Sequence, residues 1–89
     1  MFTLRFAKPA IKALLKMPAG IAKRMRVELD AVAADPATRG DQIGGDWKPL
    51  QGSDFWRLRV GDWRAICDVR DGELVLLVVK IAPRGDAYK

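Results

Sequence analysis

Two short signals constrain this chain more than anything else in it: "VGDW" at 60–63 and "RDGE" at 70–73. Each sets a glycine-containing pair between strand-like runs, the pattern of a tight hairpin turn. Together they cut "FWRLRVGDWRAICDVRDGELVLLVV", residues 55–79, into three antiparallel strands. Gly61 stands at the first central position, as a type II′ turn requires. That turn sets Val60 opposite Trp63, Arg59 opposite Arg64, Leu58 opposite Ala65 and Arg57 opposite Ile66. Asp71-Gly72 reads as a type I′ turn, placing Arg70 opposite Glu73, Val69 opposite Leu74, Cys67 opposite Leu76 and Ala65 opposite Val78.

Side chains alternate across a strand, so this register divides the sheet into two faces. One collects Trp56, Leu58, Val60, Trp63, Ala65, Cys67, Val69, Leu74, Leu76 and Val78, and is apolar throughout. The other collects Phe55, Arg57, Arg59, Arg64, Ile66, Asp68, Val75, Leu77 and Val79. Arg59 directly opposite Arg64, with Arg57 on the diagonal, is unfavourable by roughly several tenths of a kcal/mol. A single arginine there is best read as snorkelling to water or paired with Asp54 or Asp68. Three beside an apolar group read as a binding surface for a phosphate chain or an acidic partner. Replacing Arg64 by Ala is then expected to leave the fold intact, since it removes repulsion.

Upstream, "FTLRF" (2–6) alternates as a short strand. A helix begins at Lys8-Pro9, with Ile11, Leu14 and Leu15 as its apolar face. Pro18 and Gly20 interrupt the pattern, and a second helix runs from about Ala19 to Ala34 with Ile21, Met25, Leu29 and Val32 on one stripe. Lys23, Arg24 and Arg26 read as a solvated helix face. Asp35-Pro36 ends this helix and residues 36–53 read as a connecting loop. The fold expected is α+β over a single domain, 1–89: a short N-terminal strand, a two-helix hairpin, then a three-stranded antiparallel meander in one sheet, with the helices on the apolar face.

Composition narrows the chemistry. The 89 residues contain no histidine and one cysteine. Histidine general bases, Ser-His-Asp triads, and His- or Cys-built metal sites are therefore excluded, and neither a metal nor a cofactor is expected. Cys67 falls mid-strand in apolar surroundings and reads as a core thiol. A lone cysteine, no signal-peptide core in "MFTLRFAKPA" and no membrane-length apolar run point to a cytoplasmic protein. The net charge of +5 favours polyanions or acidic protein partners.

The segment "LQGSDFWRLRVGDWRAICDVRDGELVLLVVKIAPRGDAY" resembles the C-terminal half of the RelE/ParE toxins of bacterial toxin–antitoxin systems. The resemblance rests on Leu50 and Gly52, on "WRLRVGDWR", on the acidic-Gly turn, and on "PRGDAY"; before residue 50 it is one of element order alone. It implies a RelE-like fold and a cognate antitoxin in a hetero-oligomer. It also implies one of two targets. RelE-like members are metal-independent endoribonucleases that cut messenger RNA on the ribosome and inhibit translation; ParE-like members poison DNA gyrase. In the first case the 2′-OH attacks the adjacent phosphate and leaves a cyclic phosphate. Arg64 matches the arginine after the hairpin turn and would grip the scissile phosphate. Arg57 and Arg59 would supply positive charge, Arg84 matches an arginine near the C-terminus, and Tyr88 matches the tyrosine that stacks on a base or transfers a proton. Phe55 stands where active members often carry a second basic residue, and Ala82 and Pro83 where many carry another. A ribonuclease, a gyrase poison and a non-catalytic basic binding module therefore all remain open.

Lys48, Lys80 and Lys89 are candidate RNA contacts, with a solvated lysine the ordinary alternative. Phe55 fits base stacking, an antitoxin anchor or edge packing. Trp56 and Trp63 read as core, and Trp47 as either a core plug or a surface contact.

Overall fold

In the computed structural model of the protein the described residues are 2–34, 47–50 and 52–83. Gly61 takes a positive φ of 58° and Asp62 does not, the backbone of the expected type II′ turn. The strands on either side, β3 (Trp56–Val60) and β4 (Trp63–Arg70), pair antiparallel with Val60 opposite Trp63 and Arg57 opposite Ile66, as their turn dictates. Upstream lie β1 (Thr3–Phe6), α1 (Lys8–Lys16) and α2 (Ala19–Ala34), within a residue of the boundaries that Pro9 and Pro18 suggest. β2 (Trp47–Pro49) and β5 (Val75–Pro83) complete one sheet of order β1-β5-β4-β3-β2, in which β1 runs parallel to β5 and the rest are antiparallel.

The sheet thus has a strand, β2, inside the segment that reads as a loop. Trp47 is the reason: it is buried opposite Leu58 and stacks on Trp56 with ring centroids 5.1 Å apart at 15°. This answers the question that Trp47 raises in favour of the core. Pro49 lies on an edge strand, where a missing N–H costs nothing.

The second turn differs from its expected form. Gly72 has no positive φ; Asp71–Glu73 form a 3-10 turn and the left-handed residue is Leu74, φ 53°. Arg70 therefore lies opposite Val75, not Glu73, and Val69 opposite Leu76. Leu74 leaves the apolar face and is 54% exposed. Further along, Cys67 lies opposite Val78 but Ile66 opposite Lys80, so Val79 is an extra residue in a β-bulge. The bulge inverts the alternation beyond it: Ile81 turns to the core opposite Ala65, and Lys80 and Ala82 fall on the other face.

One face of the sheet carries the core. Leu58, Val60, Ala65, Cys67, Leu76, Val78 and Ile81 meet Met25, Leu29, Val32 and Ala33 of α2, with Trp56, Trp63 and Val69 partly buried at its margin. Helix α1 packs against β5 through Ala10, Ala13, Leu14 and Met17. Its expected stripe is displaced: Ile11 is 45% and Leu15 81% exposed. Ala10 and Ala13 allow the helix close to β5, and that proximity decides the buried side. The Arg26 guanidinium lies 5.2 Å from the centre of the Phe6 ring, so this arginine is more than a solvated charge. Among the described residues no helix is long and apolar enough to cross a membrane.

Candidate anion-binding face

The face turned away from α1 and α2 is built in rows, because register places side chains of neighbouring strands side by side. One row reads Lys48, Arg57, Ile66, Lys80 across β2, β3, β4 and β5. The next reads Arg59, Arg64, Ala82. Strands lie about 4.8 Å apart, so Lys48 and Lys80 bracket roughly 14 Å of sheet, with Arg57 between them. A single nucleic-acid strand places more than one phosphate within such a span.

The register that sets Arg59 against Arg64 is present as expected, and so is Arg57 beside it. Arg64 differs from its neighbours in exposure. It is 8% exposed, and its Nη1 donates to the Gly61 carbonyl at 3.5 Å and the Trp63 carbonyl at 3.3 Å. Its cation folds back over the β3–β4 turn. Such a residue has structural weight, contrary to the expectation that Ala is tolerated there. Arg57 is half-buried and Arg59 exposed. Lys48 is exposed and Lys80 half-buried.

Asp68 is engaged by Arg70. Its Oδ2 accepts from the Nε of Arg70 at 3.0 Å, and Arg70 also reaches Glu73 at 3.6 Å. The Asp68 hydrogen bond, then the Asp68 and Glu73 charges, push the Arg70 pKa up, so Arg70 and Asp68 form a closed pair at the far end of the face. The middle of the face is apolar: Ile66 and Ala82 are almost buried with Leu50 against them. Phe55, just before β3, is exposed, its carbonyl accepting from the Leu50 N–H at 2.8 Å. It borders this apolar centre and the basic row, a position suited to lying against a flat group.

Chemically, this face can hold anions and stabilise negative charge. Among its described groups, only Asp68 is a carboxylate. Cys67 points into the core, and burial pushes its thiol pKa up to about 12, so it supplies no thiolate. Arg84, Tyr88 and Lys89 lie outside the described residues, as do most of the 36–53 segment and the helix stop at Asp35-Pro36. Sequence reasoning undervalued Lys80. The bulge at Val79 brings it into the row with Arg57, and nothing local in "VVKIA" signals a bulge.

A family model described as the ParE toxin of type II toxin-antitoxin system, parDE, matches residues 4–88. Among solved structures, the chain resembles the archaeal RelE–RelB complex from Pyrococcus horikoshii OT3, at 27% identity and a TM-score of 0.79 over 96% of this chain and 97% of that one. It resembles the intact E. coli RelBE toxin–antitoxin complex at 18% identity and a TM-score of 0.78, over 97% and 99% of the two chains. The RelBE2 toxin–antitoxin complex from Mycobacterium tuberculosis follows at 24% and 0.67, over 93% and 98%. The last two likenesses, at that identity, are of fold. No curated protein matches the chain.

Proposed function

Since the chain belongs to the ParE toxin family of type II toxin-antitoxin systems, we propose that it is a toxin whose open sheet face grips the phosphate backbone of messenger RNA on the ribosome and promotes its cleavage. The observation that carries this reading is the row Lys48, Arg57, Lys80, set by register across three strands of that face. In the reaction the RNA 2′-oxygen bonds to the adjacent phosphorus, the bond to the 5′-oxygen breaks, and a cyclic phosphate and a 5′-hydroxyl result. The 2′-OH proton leaves and the 5′-oxygen gains one. Arg57, Arg59 and Lys80 would stabilise the extra negative charge on the phosphorane, which supplies acceleration without a metal. Arg64 would act chiefly by holding the turn that sets the position of Arg59. Tyr88 and Arg84 are the proposed proton-transfer and phosphate partners from the C-terminal segment. The Pyrococcus relative was solved with RelB, which supports a cognate antitoxin as partner here.

Two observations favour a second reading: the matching family model is that of ParE, and Phe55 stands where active ribonucleases of the group often carry a second basic residue. On that reading the target is DNA gyrase and the same face binds without chemistry. Inducing the chain and mapping messenger RNA ends separates the two. In-frame cuts within translated messages are the result expected. Intact messages with DNA-damage signalling would replace the first reading by the second.

A further inference from the structure

Among the described residues Phe55 is the one exposed aromatic ring, at 37%, whereas Phe2, Phe6, Trp47, Trp56 and Trp63 all pack with the core. Its backbone is tied down on both sides. The Leu50 N–H donates to the Phe55 carbonyl at 2.8 Å, the Phe55 N–H donates to Ser53 Oγ at 3.0 Å, and the Ser53 N–H donates to the Leu50 carbonyl at 3.3 Å. Gly52, at a φ of 77°, supplies the left-handed residue of this reversal. A ring presented to solvent on a backbone fixed in this way is preorganised and loses little freedom on contact. Its neighbours specify what it meets. Continued by one pair, the β2–β3 register sets Leu50 opposite Phe55. Leu50 packs on the buried Ile66 and Ala82, so the flank of the ring is apolar. Arg57 follows two residues on, on the same face of the sheet and about 7 Å along the strand. A flat apolar ring beside a guanidinium matches the two parts of a nucleotide, a π face and an anion.

We propose, on the reading of this face as an RNA grip, that Phe55 is a stacking platform for an unpaired nucleobase of the strand whose phosphate lies on Arg57, and that the face selects single strands through it. Base–aromatic stacking tolerates any sequence, because every base has a π face. A base inside a duplex is already stacked and paired, and reaching Phe55 would first require its extrusion. A cation at position 55 would strengthen contact with the phosphates of strand and duplex alike. The phenyl ring adds no charge and discriminates between them. Packing of the ring against Leu50 for the sake of the fold alone would affect stability and leave recognition of bases untouched.

The test measures binding of the full chain to two short strands of equal length and charge. One is a 2′-deoxy oligonucleotide, which lacks the attacking hydroxyl and is not cut; the other is its counterpart with every base removed. Wild type is expected to hold the first about fivefold or more tightly than the second, the size of one stacked base. Phe55→Ala and Phe55→Leu are expected to lose that preference. Both should keep the wild-type affinity for the abasic strand and the wild-type dependence on salt, since no phosphate contact is removed. Phe55→Tyr, which restores a flat ring, is expected to keep the preference. Circular dichroism and the thermal midpoint verify folding, and Phe55→Leu still covers Leu50 should Phe55→Ala fail to fold. A wild type indifferent to the bases, or a preference that survives in Phe55→Leu, would overturn the proposal and leave the face an anion grip. Absence of salt-dependent binding of either strand to wild type would remove the reading of the face itself, and the proposal with it.

Discussion

At the scale of single residues, a buried cation and a half-buried one make different predictions. Arg64 donates to two backbone carbonyls from a position 8% exposed. Truncating it removes charged hydrogen bonds and leaves a hole, and Arg64→Ala should cost about 1–3 kcal/mol, read as a lower urea midpoint at unchanged m. Lys80→Ala, at a half-buried surface position, should cost less than Arg64→Ala. The same Lys80→Ala should reduce the salt dependence of oligonucleotide binding by about 0.7 in log–log slope, one phosphate contact on a single strand. If Arg64→Ala is as stable as wild type, Arg64 is not the clasp of the turn. Cys67 makes the third case. Its folded pKa, about 12, lies above the ordinary value of 9.0. The folded state then holds its proton where the unfolded state has lost it, so stability falls as pH rises from 9 towards 12. Cys67→Ala should flatten that alkaline decline relative to wild type, as seen in denaturation midpoints taken at pH 8 and pH 10.5.

At the scale of elements, β2 and the Leu74 turn are the places where sequence pattern and structure part. Gly61 announces its turn because only a residue free to take positive φ suits that position, and the β3–β4 register follows from it. The helix limits follow from Pro9 and Pro18 for equally local reasons. In "RDGE" the same logic fails, since tertiary pairing of β1 with β5 puts the positive φ on Leu74, whose carbonyl accepts from the Thr3 N–H at 2.7 Å. Leu74 is exposed and its left-handed backbone costs about 1–2 kcal/mol, so Leu74→Gly should raise stability by roughly 0.5–1 kcal/mol after the added chain entropy of Gly. A drop instead would mean that the Leu74 side chain contributes more than its exposure suggests. β2 spans Trp47–Pro49, too short to show a period, and its identity comes from the tryptophan stack. Trp47→Ala should therefore cost about 3–5 kcal/mol, a core-sized loss measured in the same denaturation series. A loop tryptophan would cost almost nothing.

At the scale of the whole molecule, the division of labour between the two sheet faces was readable from alternation and the Gly61 turn together, which set Arg57, Arg59 and Arg64 on one face and Leu58, Val60 and Ala65 on the other. The composition of the basic row was not. Lys48 joins it through a strand hidden in a glycine-rich segment, and Lys80 through a bulge that depends on how β4 and β5 meet. Likewise the outward side of α1 follows from which residues fit closest to β5, a property of packing and not of hydrophobicity. The result is a molecule whose cationic sheet face lies on the opposite side of the sheet from its helices and core.

The claim on which this account depends is that the cationic row on the sheet is where the toxin acts. Growth after induction of Lys48→Ala/Arg57→Ala/Lys80→Ala, set beside the equally charge-depleted Lys16→Ala/Lys23→Ala/Arg24→Ala, measures it most directly. Both proteins should be soluble and folded, with growth arrest and message cleavage lost in the first and kept in the second. Arrest that survives in the first, or that disappears equally in both, would contradict the claim.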